Sequence, residues 1–236
     1  MLAKLLFTSC ILILASTSHA VDKRPANYKA DIFDLKTNAL AVKFEVKSHT
    51  EGDLTVQEAR YTDPKGEELV TERTELKGDQ LVSFQQLQKQ VGADGLIRIA
   101  DGKIYFTYKR DGKEKKDDEK LTPNFVTSPT LIPYMMKNFE ALQKGESVGI
   151  RFGVLERQET VGFTLKKDHE DVLNGKKVVV IKMKPSSFVI AALVDPLYFT
   201  FNDDGSLTLE LKGRLPVKMK NGNSWKDYDG RWVYTY

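Results

Sequence analysis

The chain has 236 residues, 41% of them hydrophobic and 29% charged, with 36 basic against 33 acidic side chains and a single cysteine. That length suits one domain or two closely packed halves, and so even a charge balance argues against a general polyanion binder of the nucleic-acid type. The cysteine, Cys10, lies in the first twenty residues, so a chain cut behind them has no disulfide, thiol nucleophile or thiolate ligand.

Those first residues have the pattern of a secretory signal peptide. Lys4 supplies a positive start, residues 5–15 an apolar run of 11, and Ser18-His19-Ala20 a small-x-small cleavage site before Val21. A membrane-spanning helix needs about 20 apolar residues, and Cys10 sits inside the run rather than behind a lipoprotein motif. The expectation is an exported, periplasmic protein cut after Ala20, with residues 21–236 forming a single β-rich domain that does not span a membrane. Loss of Lys4 leaves 35 basic against 33 acidic residues.

Past a short polar lead-in, Leu40, Val42, Phe44 and Val46 alternate with Ala41, Lys43, Glu45 and Lys47, the period of a strand with one dry and one wet face. The pattern returns at Ile104, Phe106 and Tyr108, at Val148, Ile150, Phe152 and Val154, and at Val161, Phe163 and Leu165. It recurs at Leu207, Leu209 and Leu211, at Val217 and Met219, and at Trp232, Tyr234 and Tyr236. Between the runs stand turn signals: Asp63-Pro64-Lys65-Gly66, Asp94-Gly95, Asp101-Gly102, Asp111-Gly112, Asn174-Gly175, Asp204-Gly205, Asn221-Gly222 and Asp229-Gly230. Their close spacing predicts a mostly antiparallel sheet. In residues 104–116 aromatic side chains lie beside Lys and Arg, as in a single-strand nucleic-acid groove. Asp117, Asp118 and Glu119 cancel those charges, and the stretch reads as a strand, a turn at Asp111-Gly112 and a solvated loop. An internal boundary is expected near residues 111–122.

One segment breaks the rhythm. Leu131, Ile132, Met135, Phe139 and Leu142 recur at helical spacing, with Ser128 or Thr130 as caps and Lys144-Gly145 as the stop, which predicts one amphipathic helix. Residues 188–194 form a second apolar run that suits a short helix or a buried strand equally. The expected fold is therefore mainly β: a large, curved, half-barrel-like antiparallel sheet, its apolar face covered by one or two helices.

Signs of chemistry are weak. Gly145-Glu146-Ser147-Val148-Gly149 matches a hydrolase nucleophile elbow, but the helix precedes it and the strand follows, the reverse of an elbow. His49 and His169, the two histidines behind the leader, stand in charged, turn-like surroundings without a ligand partner at helical spacing. Asn202-Asp203-Asp204-Gly205 resembles the middle of a calcium loop, yet Thr200 and Leu211 occupy the positions of its first and last acidic ligands. Asp168, Glu170 and Asp171 cluster in what reads as a turn, where neighbouring carboxylates seldom acquire divided acid and base roles. No catalytic residue, metal site or cofactor is expected. Met135, Met136 and Phe139 on the helix, with Phe188 and Ile190 later, are candidates to line a pocket for an acyl chain, since Met adapts to flexible apolar ligands. Ordinary core packing is the competing explanation.

Residues 138–167 (NFEALQKGESVGIRFGVLERQETVGFTLKK), with LVDPLYFTFNDDGSLTLELKGR further on, resemble uncharacterised exported β-rich proteins of Gram-negative bacteria grouped as domains of unknown function. The resemblance implies a periplasmic location and carries no catalytic residue across. The expected shape is also similar to that of periplasmic lipoprotein carriers, whose curved sheet and helices hold acyl chains, an analogy of fold alone. The terminal RWVYTY resembles the C-terminal assembly signal of outer-membrane β-barrels, against which stand the helix, the short strands and the density of Lys. The first expectation is a non-catalytic periplasmic binding or carrier protein for an apolar ligand, lipid or envelope component. A structural or assembly factor that binds another envelope protein comes second, and a hydrolase third. An apolar cavity would favour the carrier, a packed interior with an exposed apolar patch the assembly factor, and convergent polar groups in a deep cleft the enzyme.

Overall fold

The computed structural model describes residues 22–236 apart from 193, so the signal-peptide reading of residues 1–20 lies outside the described residues. Eight strands come first: β1 (Tyr28–Asp34), β2 (Leu40–Glu51), β3 (Leu54–Thr62), β4 (Glu68–Lys77), β5 (Gln80–Gln88), β6 (Ala93–Ala100), β7 (Lys103–Arg110) and β8 (Lys113–Lys120). A two-residue strand, β9 (Phe125–Val126), leads into helices α1 (Ser128–Lys137) and α2 (Phe139–Gln143). Then follow β10 (Val148–Val154), β11 (Glu159–Leu173), β12 (Lys176–Pro185), the short helix α3 (Phe188–Ala191), β13 (Leu197–Asn202), β14 (Thr208–Asn221) and β15 (Ser224–Thr235).

All fifteen strands form one sheet, in the order β8-β7-β6-β5-β4-β3-β2-β1-β15-β14-β13-β12-β11-β10-β9. Each half is an up-and-down meander, β1 and β15 join the halves, and among the described residues only the β9–β10 pair is parallel. This is the expected large curved antiparallel sheet with helical cover, carried almost to closure. The last gap is bridged by side chains instead of a ladder: Glu119 at the end of β8 accepts a hydrogen bond of 2.8 Å from the backbone N–H of Thr160 on β11 and a second from its hydroxyl.

β8 itself (KEKKDDEK) corrects the expectation of a solvated loop, for its backbone pairs with β7 from Arg110↔Lys113 to Lys103↔Lys120. A strand with one free edge does not need an apolar face, and charge at every position keeps a foreign strand from adding to it. The boundary expected near residues 111–122 falls on this edge strand and its link to β9.

The alternating residues turn one face inward, where Ile32, Val42, Phe44, Val46, Phe199 and Phe201 are buried. α1 and α2 enter this space and set Leu131, Ile132, Met135, Met136, Phe139 and Leu142 in the main core. A smaller core around Phe84, Ile97, Ile104 and Phe106 is closed by Leu155 from a 3-10 turn after β10. The single helix expected is broken at Asn138, whose side-chain amide donates to the Tyr134 carbonyl at 2.8 Å and so takes an acceptor at the end of α1. Its start lies one residue earlier than expected, with Thr127 as N-cap and its N–H donating to the Thr130 hydroxyl at 2.9 Å.

Turn chemistry follows the expected dipeptides at Asp101-Gly102, Asp111-Gly112 and Asn174-Gly175, where both residues have positive φ. Asp94-Gly95 and Asp229-Gly230 instead lie inside β6 and β15. There the glycines serve close approach: a Cβ on Gly95 would stand 2.9 Å from Leu155, and one on Gly230 2.8 Å from Ile32. A register shift between Arg214 and Lys218, around Pro216, frees backbone groups of β14. Gln88 donates to the Pro216 carbonyl at 2.8 Å, while Gln90 donates to the Lys218 carbonyl at 2.6 Å and accepts from its N–H at 3.0 Å.

Gly205 and Gly112 share a φ of +71°, but a Cβ on Gly205 would lie 2.2 Å from the Phe139 ring whereas Gly112 has nothing within 4 Å. Alanine at Gly112 is expected to cost about 1–2 kcal/mol for its left-handed backbone. Gly205→Ala is expected to cost about 1–3 kcal/mol more, from overpacking against α2, as read from urea unfolding of the two variants side by side.

Candidate functional site

The residues predicted to line an acyl pocket are divided by the fold. Met135, Met136 and Phe139 come together beneath the sheet, 0%, 1% and 2% exposed, and the Phe139 ring packs 5.5 Å from that of Phe201. Their neighbours Leu142, Leu165, Val179 and Ile181 are fully buried, so no water-sized gap borders these side chains. Ile190 reaches the margin of this core, while Phe188, on the same short helix, is 90% exposed. Two residues apart on a helix, the two side chains point to opposite sides. Three of the five side chains thus form packed core, and they surround no open pocket.

A polar group that sequence reasoning missed lies on the inner face of β3, β4 and β5. Alternation along β4 turns Val70, Glu72 and Thr74 inward, and register places Glu72 opposite Ala59 and Gln86. Gln86 donates to the Glu72 carboxyl at 2.8 Å and the Tyr61 hydroxyl stands 3.4 Å away. Tyr61 belongs to an aromatic cluster, its ring 4.7 Å from Phe44 and 5.7 Å from Trp232. With no cation beside it, burial pushes the Glu72 carboxyl up to about 7, and the two hydrogen bonds oppose this only in part. Trp232 Nε1 and Gln88 Oε1 are buried nearby in the sheet without hydrogen-bond partners. The signal for this group was present as Val-x-Glu-x-Thr alternation in a segment otherwise too polar to be noticed. The group can take up a proton, but neither histidine lies in this part of the inner face.

The other candidates are exposed. His169 bonds Asp168 and His49 bonds Glu51, each at 2.8 Å, on strands far apart in the sheet. The cluster Asp168, Glu170 and Asp171 does not form a turn; β11 continues through it to Leu173, with a bulge between Lys167 and His169. Lys167 and Lys177 flank Glu170 and hold its carboxyl below its ordinary range. At the β13–β14 turn, Asp204 accepts hydrogen bonds from Lys23 and from the Ser206 hydroxyl and N–H, which leaves it committed within the turn. Ser147 is exposed between α2 and β10, the order already read from the sequence. Among the described residues no cluster of three or more His, Cys, Asp and Glu is placed to hold a metal ion.

Two grooves lie on the outer wall. One, of about 450 Å³, lies over β6, β7 and β8 among Leu96, Arg98, Tyr105, Thr107, Lys116 and Asp118. The other, about 270 Å³, lies over β2 to β5 among Lys47, Glu58, Arg60, Thr71, Arg73 and Gln85. Charges over β1 to β4 are complementary across strands, as in Lys29↔Glu45, Glu45↔Arg60, Lys47↔Glu58 and Glu58↔Arg73.

No family model matches the chain, and no curated protein matches it. Some solved structures show likeness, two of which are these. A β-barrel-like protein of domain of unknown function DUF1849 from Brucella abortus has a TM-score of 0.47 at 12% identity, covering 89% of this chain and 94% of that one. A porin-like protein from Bacteroides uniformis has a TM-score of 0.24 at 11% identity, covering 89% and 96%. Likenesses of this size carry neither residues nor activity across.

Burial of Glu72 makes stability depend on pH. The folded chain holds this proton to about pH 7, whereas an unfolded carboxyl releases it near its ordinary value of about 4.3. The fold therefore binds more protons between those values, and stability falls as pH rises through that window. The loss above pH 7 amounts to about 4 kcal/mol. Glu72→Gln is expected to remove this part of the slope, gaining stability at pH 8 but not at pH 4, in urea unfolding of both proteins across that range.

Proposed function

We propose that the protein is a non-catalytic binding module of the Gram-negative cell envelope, exported to the periplasm, that engages its partner with its outer surface instead of carrying a ligand inside. The observation that carries this reading is the filled interior: α1 and α2 occupy the space where a carrier would hold an acyl chain, and Met135, Met136, Phe139 and Leu142 are buried there. The assembly-factor reading thereby moves ahead of the carrier. The free edge is unsuited to recruiting a partner strand, because β8 is charged throughout, and exposed patches are the better contact. Polarity also argues against an integral barrel: the wall carries Lys43, Glu45, Lys47, Arg60 and Arg73 outward, while Val42, Phe44 and Val46 of the same strands are buried, the reverse of a membrane-embedded wall. No helix among the described residues is long and apolar enough to cross a membrane. The leader pattern and the resemblance of residues 138–167 support the location.

Expression of the whole chain in a Gram-negative host, followed by fractionation and native mass spectrometry, tests this reading. The expected result is a chain beginning at Val21 in the periplasmic fraction with no apolar molecule bound. A stoichiometric lipid inside the purified protein would restore the carrier, and recovery only from detergent-extracted outer membrane would restore the barrel.

A further inference from the structure

One end of the barrel gathers apolar side chains that the core does not use. In an antiparallel meander alternate connections leave from the same end, so the β1–β2, β12–β13 and β14–β15 connections project together from neighbouring strands. They carry Leu35, Phe188, Val189, Met219 and Trp225, five of the eight large apolar side chains that stand exposed among the described residues, with Phe188 at 90% and Val189 at 71%. Scattered exposed apolar residues need no explanation, but a set concentrated on one face does.

Each projection also bears lysine. Lys36 follows Leu35, Lys184 precedes the α3 connection, and Lys220 and Lys226 stand on the β14–β15 hairpin. In that hairpin Met219 lies opposite Lys226 and Trp225 opposite Lys220, whose ammonium is 5.9 Å from the Trp225 ring. The acidic groups at this end are largely engaged: Asp227 and Asp229 with Arg214, Asp227 and Glu156 with Lys218, and Asp34 with Thr37 and Tyr228. Asp195 faces Arg214. The four lysines make no ion pair with any described carboxylate. On the wall leading up to this end cations stand opposite cations, Lys166↔Lys182 and Lys212↔Arg231; Asp168 lies 3.7 Å from Lys182 and Glu210 2.9 Å from Arg231, which leaves Lys166 and Lys212 without an ion pair among the described residues. The complementary charges over β1 to β4 show the contrast.

We infer that this end of the barrel docks on a bilayer surface with anionic headgroups. Phe188, Val189 and Trp225 seat at the boundary between headgroups and acyl chains, and Lys184, Lys220 and Lys226 lie against the phosphates. The charge is complementary to such a surface. The chemistry of the tips suits it too, since Trp favours the membrane interface and Lys can bury its stem while its ammonium reaches headgroups. Separate short projections, each pairing an apolar tip with a lysine, fit a fluid surface that receives anchors independently; a protein groove would demand one contiguous apolar patch. The inference rests on the outer-surface reading above and names what that surface meets.

Co-sedimentation of the leader-free protein with phosphatidylcholine vesicles, with and without phosphatidylglycerol, is the test. Binding is expected only to the anionic vesicles, weakening with salt, and with a blue shift of tryptophan emission that reports Trp225 because Trp232 is already buried. Replacing Lys184, Lys220 and Lys226 together by Gln is expected to weaken binding about a hundredfold, and Phe188→Ser at least about tenfold. Circular dichroism should stay unchanged, since all four side chains are exposed. Absence of vesicle binding, equal binding to neutral vesicles, or binding indifferent to these substitutions would overturn the inference. Each of those results leaves the filled interior standing, whereas a lipid found inside the barrel would overturn the reading beneath it.

Discussion

Ladder hydrogen bonds tie the two halves of the sheet together at one place, where β1 lies antiparallel to β15 from Lys29↔Thr235 to Asp34↔Gly230. Every other neighbour in the sheet except the short β9–β10 pair is a hairpin neighbour in the chain. This junction joins segments some two hundred residues apart, so its loop-closure cost is met only when the surfaces on both sides are buried together. Gly230 permits the closeness, with no Cβ to meet Ile32, and Trp232 beside it packs 5.1 Å from Phe44 of the next strand but one. The aromatic cluster of Phe44, Tyr61 and Trp232 grows directly from that junction.

Joining two meanders makes a sheet of fifteen strands, wide enough that inward side chains alone would not fill it. The chain fills the space from within. α1 and α2 pack into the main core, Leu155 closes the smaller one, and Gln88 and Gln90 reach from the N-terminal half to the bulged backbone of β14. An interior so occupied explains why the apolar helix face, the best ligand-binding candidate in the sequence, became core. The same filling isolates Glu72, whose proton the fold retains because the carboxylate would stand in low dielectric with no cation to offset it.

With the interior filled, the proposed function rests on the outer surface. The wall divides into a region over β1 to β4 where charges answer each other across strands and a region over β11 to β15 where lysines oppose cations below a rim of exposed apolar tips. The first needs no partner. In the second, Asp168 meets Lys182 and Glu210 meets Arg231, while Lys166 and Lys212 have no ion pair among the described residues.

Much of the local structure was legible in the residues themselves. Period-two alternation at Leu40 to Val46, at Ile104 to Tyr108 and at Trp232 to Tyr236 marks strands because each has one wet and one dry face, and Asp-Gly or Asn-Gly marks three hairpin turns because few residues accept positive φ. The same dipeptide at Gly95 and Gly230 means something else, since a glycine needed for close approach looks no different in sequence from one needed for a turn. β8 was missed because an edge strand needs no apolar face, and Glu72 because a buried polar residue carries no mark of burial. Sequence by itself determined the β-rich class, the antiparallel rhythm and the helical interruption, all set by contacts a few residues apart. The joining of β1 to β15, the filling of the interior, the protonation of Glu72 and the exposure of Phe188 were decided only by tertiary structure, because each depends on which distant surfaces come to face one another.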